Sequence, residues 1–222
     1  MEMRTSFHKS LREIQDEILA MGNIVSIALQ QSIEALKNRD MDLARKIIAD
    51  DPKINVKRFE IEEKCIKLIA TQQPMASDLR IIIAILNITT EIERIGDYAG
   101  GNARVVLMIG NEPPLKPLID IPRMADKTVD MLRRSLDAFI NRDIEAARKI
   151  SAEDDFVDQL YDQIFRELLT FMAEDPKTIT RATRLIWTAH NLERAADRVT
   201  NICERVIFVV TGKMEEMGAS KY

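Results

Sequence analysis

Cysteine, histidine, glycine, proline and aromatic side chains are all scarce in this chain of 222 residues, which has two cysteines, two histidines, seven glycines, seven prolines and 5% aromatics. Each scarcity excludes something. Cys65 and Cys203 form no CxxC or metal spacing and sit among apolar residues, so they read as reduced core thiols rather than staples. That usage suits a reducing, cytoplasmic setting. Val-Thr-Tyr alternation of period two is absent, which argues against sheet. No glycine-rich phosphate loop, HExxH or GxSxG motif occurs, so the familiar nucleotide, metalloprotease and hydrolase chemistries find no support. No apolar run is long enough to span a bilayer, and the opening MEMRTSFHKSLREIQDE is too polar for a signal peptide. The net charge of −4 is nearly balanced between the two halves, leaving no basic patch for duplex DNA. Neither membrane insertion nor direct DNA binding is expected, and a regulator with this charge would act through proteins.

What the chain does have is 46% hydrophobic content rich in helix formers, enough for one or two substantial cores. From Leu11 the apolar positions run Leu11, Ile14, Ile18, Met21, Val25, Ala28, Ser32 and Ala35, in steps of three and four. That a/d seam marks a long bundle helix, serving an internal core or a partner subunit. The spacing predicts six long helices. The first covers about residues 6–38, and Arg39-Asp40 turns into the second. Pro74 is placed in the first turn of the third, which ends near Gly110. The proline-rich stretch GNEPPLKPLIDIP forms a connector, taken as residues 111–122. The fourth covers about residues 123–140, a turn at Asn141-Arg142-Asp143 leads into the fifth, which ends near Ala173, and Asp175-Pro176 opens the sixth, ending near Gly212.

The chain also repeats itself. DMDLARKIIADDPKIN, from Asp40, resembles DIEAARKISAEDDFVD, from Asp143, and this alignment pairs Asp51 with Asp154 and Asn55 with Asp158. Each copy continues to a proline-marked break and then to a helix bearing Glu-Arg-x-x-Asp. The first motif is Glu93, Arg94 and Asp97; the second is Glu193, Arg194 and Asp197. Residues four apart on a helix share a face, so each motif stacks two carboxylates one turn apart. Such an arrangement calls for a cation or cationic side chains between them, Arg94 and Arg194 being the plain candidates. Repetition at this length implies an all-α fold of two tandem three-helix bundles, residues 1–110 and 123–222, the second ending in a short polar tail.

These features together resemble the PhoU family of phosphate-signalling proteins: the two-half helical layout, QQPMASDLR before the third helix, ERIGDYA, and the later NLERAADR. The resemblance runs from the first helix to about Val210. It implies a cytoplasmic, non-enzymatic negative regulator of phosphate uptake and of the phosphate-starvation response. The implied partners are the ATPase subunit of a phosphate transporter and a sensor histidine kinase, and the implied assembly is a homodimer. It also implies metal binding through an acidic residue followed four later by Asp, on two helices of each bundle. Glu93 with Asp97, Glu193 with Asp197 and Asp154 with Asp158 match that pattern. Asp51 with Asn55 departs from it, an amide replacing the second carboxylate, so the N-terminal site is expected to be the weaker. Oxygen ligands suit Mg, Mn or Fe better than Zn, which favours His or Cys.

Three further points bear on function. His190 shares a face with Glu193 and Asp197, but its repeat counterpart is Thr90, and a hydrogen-bonded neighbour or a ligand are both open roles. Gly96, Gly100 and Gly101 within one helix imply a kink or close packing. The alternative to an adaptor is a di-iron carboxylate oxidase or metal store, since helical bundles build such sites from two Glu-x-x-His motifs. With His8 and His190 as its only histidines, this chain cannot assemble two.

Overall fold

The computed structural model describes residues 2–217, with side-chain surroundings from Ser6 onward, and every regular element among the described residues is helical. The helices are α1 (Glu2–Asn38), α2 (Met41–Gln72), α3 (Ser77–Ile109), α4 (Asp120–Asn141), α5 (Ile144–Ala152), α6 (Asp154–Glu174) and α7 (Ile179–Thr211), with a single 3₁₀ turn at Pro176–Thr178 before the last.

The repeated Arg-Asp turn works the same way twice. Arg39 and Arg142 take positive φ, 56° and 57°, which ends the preceding helix. The next residue, Asp40 or Asp143, then caps the following one. Asp40 accepts from the backbone N–H groups of Asp42 and Leu43, and Asp143 from that of Ala146, satisfying amides with no partner inside the helix.

Three boundaries differ from the sequence expectation. Pro74 does not open the third helix. Gln73 ends α2 in the left-handed region (φ 47°), Pro74 follows outside both helices, and α3 begins only at Ser77; the proline stops one helix rather than starting the next. At the other end of the connector, α4 begins at Asp120, three residues early, and Pro122 sits in its first turn, where no N–H is needed. The expected fifth helix is two, parted at Glu153. Glu153 is pulled toward α4 by Lys127 at 2.6 Å and by both guanidinium nitrogens of Arg134. These long-range ties leave no local signal. In the first repeat α2 runs unbroken through Pro52.

Helices α1–α3 form one bundle and α4–α7 the second. The a/d seam of α1 serves the internal core: Leu11, Ile14, Ile18, Met21, Val25, Ser32 and Ala35 are all buried. The halves are joined along two helix pairs, α3 on α7 and α1 on α4, so the apolar core is continuous through the molecule. The α3–α7 pair is antiparallel. Asn191 donates to Asn102 at 2.9 Å and Asn201 to Glu91 at 3.2 Å, which puts the crossing near Gly96 and Ala196. The two acidic motifs therefore flank one crossing, related by a local pseudo-two-fold. Close packing accounts for Gly96 and Gly101. A Cβ on Gly96 would meet Ile54 Cδ1 at 2.9 Å, and one on Gly101 would meet Asn191 at 3.0 Å.

The connector is strapped down by charge. Lys116, its side chain almost wholly buried, pairs with Glu167 of α6. Arg181 donates to the Pro113 carbonyl at 3.0 Å and lies 3.4 Å from Glu112. Partly exposed ion pairs such as Arg181 with Glu112 contribute about 0–1 kcal/mol, so the role of Arg181 is local order. Arg181→Ala should speed proteolytic nicking within residues 111–118 while leaving the melting temperature within a few degrees of wild type. An unchanged nicking rate would show that the strap does not hold the connector.

Candidate metal centre

Each bundle holds one group of carboxylates between its second long helix and its motif helix. In the C-terminal half, Asp154 and Asp158 come from α6, and Glu193 and Asp197 from α7. The four lie close enough to act on one another electrostatically. Asp154 is pushed up to about 7, first by burial and then by the charges of Asp158, Asp197 and Glu193. Glu193 is likewise pushed up to about 7, by burial and then Asp197, with Arg194 pulling the other way. Burial and like charge both disfavour the ionised form. Two oxygens here, Asp154 Oδ1 and Glu193 Oε2, are buried without a hydrogen-bond partner, an arrangement native proteins rarely leave uncompensated.

In the N-terminal half Asp51 and Asn55 come from α2, and Glu93 and Asp97 from α3. Asp51 and Glu93 are both raised, by burial first and by Asp97 second. Asp97 itself is exposed, and Asn55 is half-buried one turn beyond Asp51. This group is the less strained, because burial and like charge weigh less on its acids, and two arginines also approach it. Arg58 stands 3.7 Å from Glu93, and Arg104 4.0 Å from Asp51. Sequence reasoning missed both, although each lies seven residues from an acid of the group on its own helix, Arg58 from Asp51 and Arg104 from Asp97, and so shares its face.

Of the two motif arginines, only Arg194 forms an ion pair inside its own motif, with Asp197 at 2.8 Å. Arg94 turns instead to Glu91 at 3.1 Å, which Arg198 of α7 also approaches at 3.5 Å. His190 Nδ1 stands 3.3 Å from Glu193 Oε2, outside hydrogen-bond geometry. Its ring lies 6.0 Å from that of Tyr161. Burial and then Arg194 hold the imidazole below its ordinary range, so at neutral pH it brings no countercharge to the cluster.

The donor set of the C-terminal group is the one a hard cation takes: four carboxylates, no thiolate, and two buried oxygens lacking a partner. Convergence is not in place, however. Among the described residues no three His, Cys, Asp or Glu side chains gather around one point as metal ligands do. The four carboxylates lie within electrostatic reach of one another, while Arg194 holds Asp197.

Fold and site together define an all-α protein of two pseudo-symmetric helical bundles, each with carboxylates set between two of its helices. A PhoU domain model matches residues 18–106 and again 121–206. The phosphate-specific transport system accessory protein PhoU of Edwardsiella tarda is 39% identical over 207 residues, 93% of this chain and 85% of that protein. The crystal structure of PhoU from Pseudomonas aeruginosa superposes with a TM-score of 0.88 at 35% identity, covering 93% of this chain and 100% of that one. That of the phosphate transport system regulatory protein PhoU from Streptococcus pneumoniae gives 0.88 at 30%, covering 94% and 99%. The chain belongs to the PhoU family.

Proposed function

We propose that this protein is a cytoplasmic, non-catalytic negative regulator of phosphate uptake and of the phosphate-starvation response. In this reading it docks onto the ATPase subunit of a phosphate transporter and onto a sensor histidine kinase. The observation that carries the reading is similarity along nearly the whole chain to proteins named as accessories of a phosphate-specific transport system. The absence of an apolar helix long enough to cross a membrane, among the described residues, is compatible with action at a membrane complex from one side.

The C-terminal carboxylates would hold the metal in this account, with Asp154, Asp158, Glu193 and Asp197 as ligands for Mg, Mn or Fe. The N-terminal set, Asp51, Asn55, Glu93 and Asp97, would be the weaker site, since Asn55 adds no charge and Arg58 and Arg104 already approach its acids. A bound ion would supply charge neutralisation alone. To admit it, Arg194 would have to release Asp197, and the unpartnered oxygens of Asp154 and Glu193 would turn toward the ion.

Co-purification from phosphate-replete cells tests the adaptor reading. The transporter ATPase, the sensor kinase or both should accompany the tagged protein. Recovery of neither, with both expressed, would contradict it.

A further inference from the structure

The two motif arginines hold equivalent positions in the repeat and settle on different acids. The offset that pairs Glu93 with Glu193 also pairs Glu91 with Asn191. In the first half Glu91 takes Arg94 at 3.1 Å, and Arg198 at 3.5 Å and the Asn201 amide at 3.2 Å reach the same carboxylate. Glu91 thus draws Arg94 away from Asp97. In the second half the equivalent position is neutral. Asn191 donates to Asn102 at 2.9 Å and offers no charge to hold a guanidinium. Arg194 turns instead to the acid three residues on, Asp197, at 2.8 Å.

That contact falls on one of the four carboxylates of the C-terminal group. The charge of Arg194 also reaches Glu193. Asp154 Oδ1 and Glu193 Oε2 meanwhile stay buried without a hydrogen-bond partner, so the compensation is uneven across the group. A divalent cation brought to these oxygens would meet a guanidinium already in contact with Asp197, and like charges a few Å apart repel. Solvent is the outlet for Arg194, since a third of its side chain is already exposed.

We infer that Arg194 is the resident counter-ion of the C-terminal carboxylates, a built-in competitor that a divalent cation must displace from Asp197. Glu91 relieves the first motif of such a competitor, and Asn191 leaves the second with one. Arg194 therefore sets the cation concentration at which the C-terminal group fills. Its release turns filling into a freed positive charge beside the α3–α7 crossing, at the seam between the bundles. The inference rests on the metal reading of this group and adds what controls its filling.

Its test is Mn binding to chelator-stripped, full-length protein at fixed pH and ionic strength, in wild type, Arg194→Gln, Arg194→Lys and Arg205→Gln. Arg194→Gln should bind Mn roughly three- to fivefold more tightly than wild type, the worth of a partly exposed ion pair. Arg194→Lys keeps the charge and should lie between the two. Arg205→Gln removes a charge two turns further along α7 and should match wild type. The metal-free melting temperature of Arg194→Gln should be no higher than that of wild type, while its rise on adding Mn should be larger. Loss of a contact that served only the fold would not tighten binding. Arg194→Gln that binds Mn like wild type or more weakly overturns the inference and leaves the metal reading standing. Equal tightening by Arg205→Gln would also overturn it, since net charge rather than the contact would then be responsible. No Mn uptake by wild type or any variant removes both.

Discussion

Millimolar Mn or Mg is expected to raise the melting temperature of the wild-type protein above that in NaCl of matched ionic strength. Asp154→Asn is expected to raise the melting temperature of the metal-free protein and remove most of that response. The opposite signs follow from one cause. Asp154 and Glu193 titrate near 7 in the folded chain, well above their ordinary values, so folding at neutral or higher pH must hold charges the fold disfavours. A pKa unit corresponds to about 1.4 kcal/mol. For a raised carboxylate the penalty is absent below the unfolded pKa and grows as pH rises toward the folded one. The metal-free protein should thus gain stability from these two groups as pH falls from about 8 to about 5. Glu17 and Glu153 act in the other sense, being lowered in the fold on balance by Lys64 and by Arg134. Their contribution is lost only at more acid pH, below the ordinary carboxylate range.

An ion that binds only the folded state adds about 2.7 kcal/mol at a hundredfold excess over its dissociation constant. For a chain of this size that is roughly 5–10 °C. Protons compete for the same oxygens, so the response should shrink toward pH 5. Asp197→Asn should blunt it more than Asp97→Asn, because Asp97 is exposed in the less strained group. A thermal melt in which Mn does no more than NaCl would remove the metal site and leave the fold and the adaptor reading untouched.

Gly22→Ala is expected to destabilise the protein by about 1–3 kcal/mol, the usual cost of forcing an extra group into a packed core. Helix propensity alone predicts the reverse, a gain of about 1 kcal/mol. The deciding observation is the α1–α4 contact. A Cβ on Gly22 would lie 2.2 Å from Leu136 Cδ1, and Leu136, 3% exposed, has little room to turn aside. The contact joins the two bundles, so the strain falls on the seam between repeats. Leu136→Ala removes the obstructing atom. The pair should then show strong coupling in a double-mutant cycle, with Gly22→Ala neutral or stabilising in the Leu136→Ala background. Additive losses in chemical denaturation would rule out this account of Gly22.

The repeat, the six long helices and the carboxylates of the motif helices were legible because each depends on spacing within one segment. Glu93 and Asp97, like Glu193 and Asp197, share a face by helix geometry alone. The break at Glu153 was not legible, since it is set by Lys127 and Arg134 on α4, and Glu153 has no local turn signal. Pro74 was misplaced because a proline serves equally after a helix end or at a helix start, and only the left-handed Gln73 decides. The arginine partners divided in the same way. Arg194 pairs within its own motif, as spacing allows, whereas Arg94 is drawn to Glu91, where Arg198 from the other bundle also converges. Nothing in a single segment announces a crossing of α3 with α7. Gly22 likewise gave no sign of its contact with Leu136, because the a/d seam of α1 describes one face and the α4 contact uses another.

The most direct test of the central claim is Mn binding to chelator-stripped protein near pH 7.5, followed by electron paramagnetic resonance of the free ion, for wild type and Glu193→Gln. The account predicts saturable binding by wild type that is markedly weakened by Glu193→Gln and recedes as pH is lowered through 7. Wild-type protein that takes up no more Mn than Glu193→Gln at every pH would contradict it.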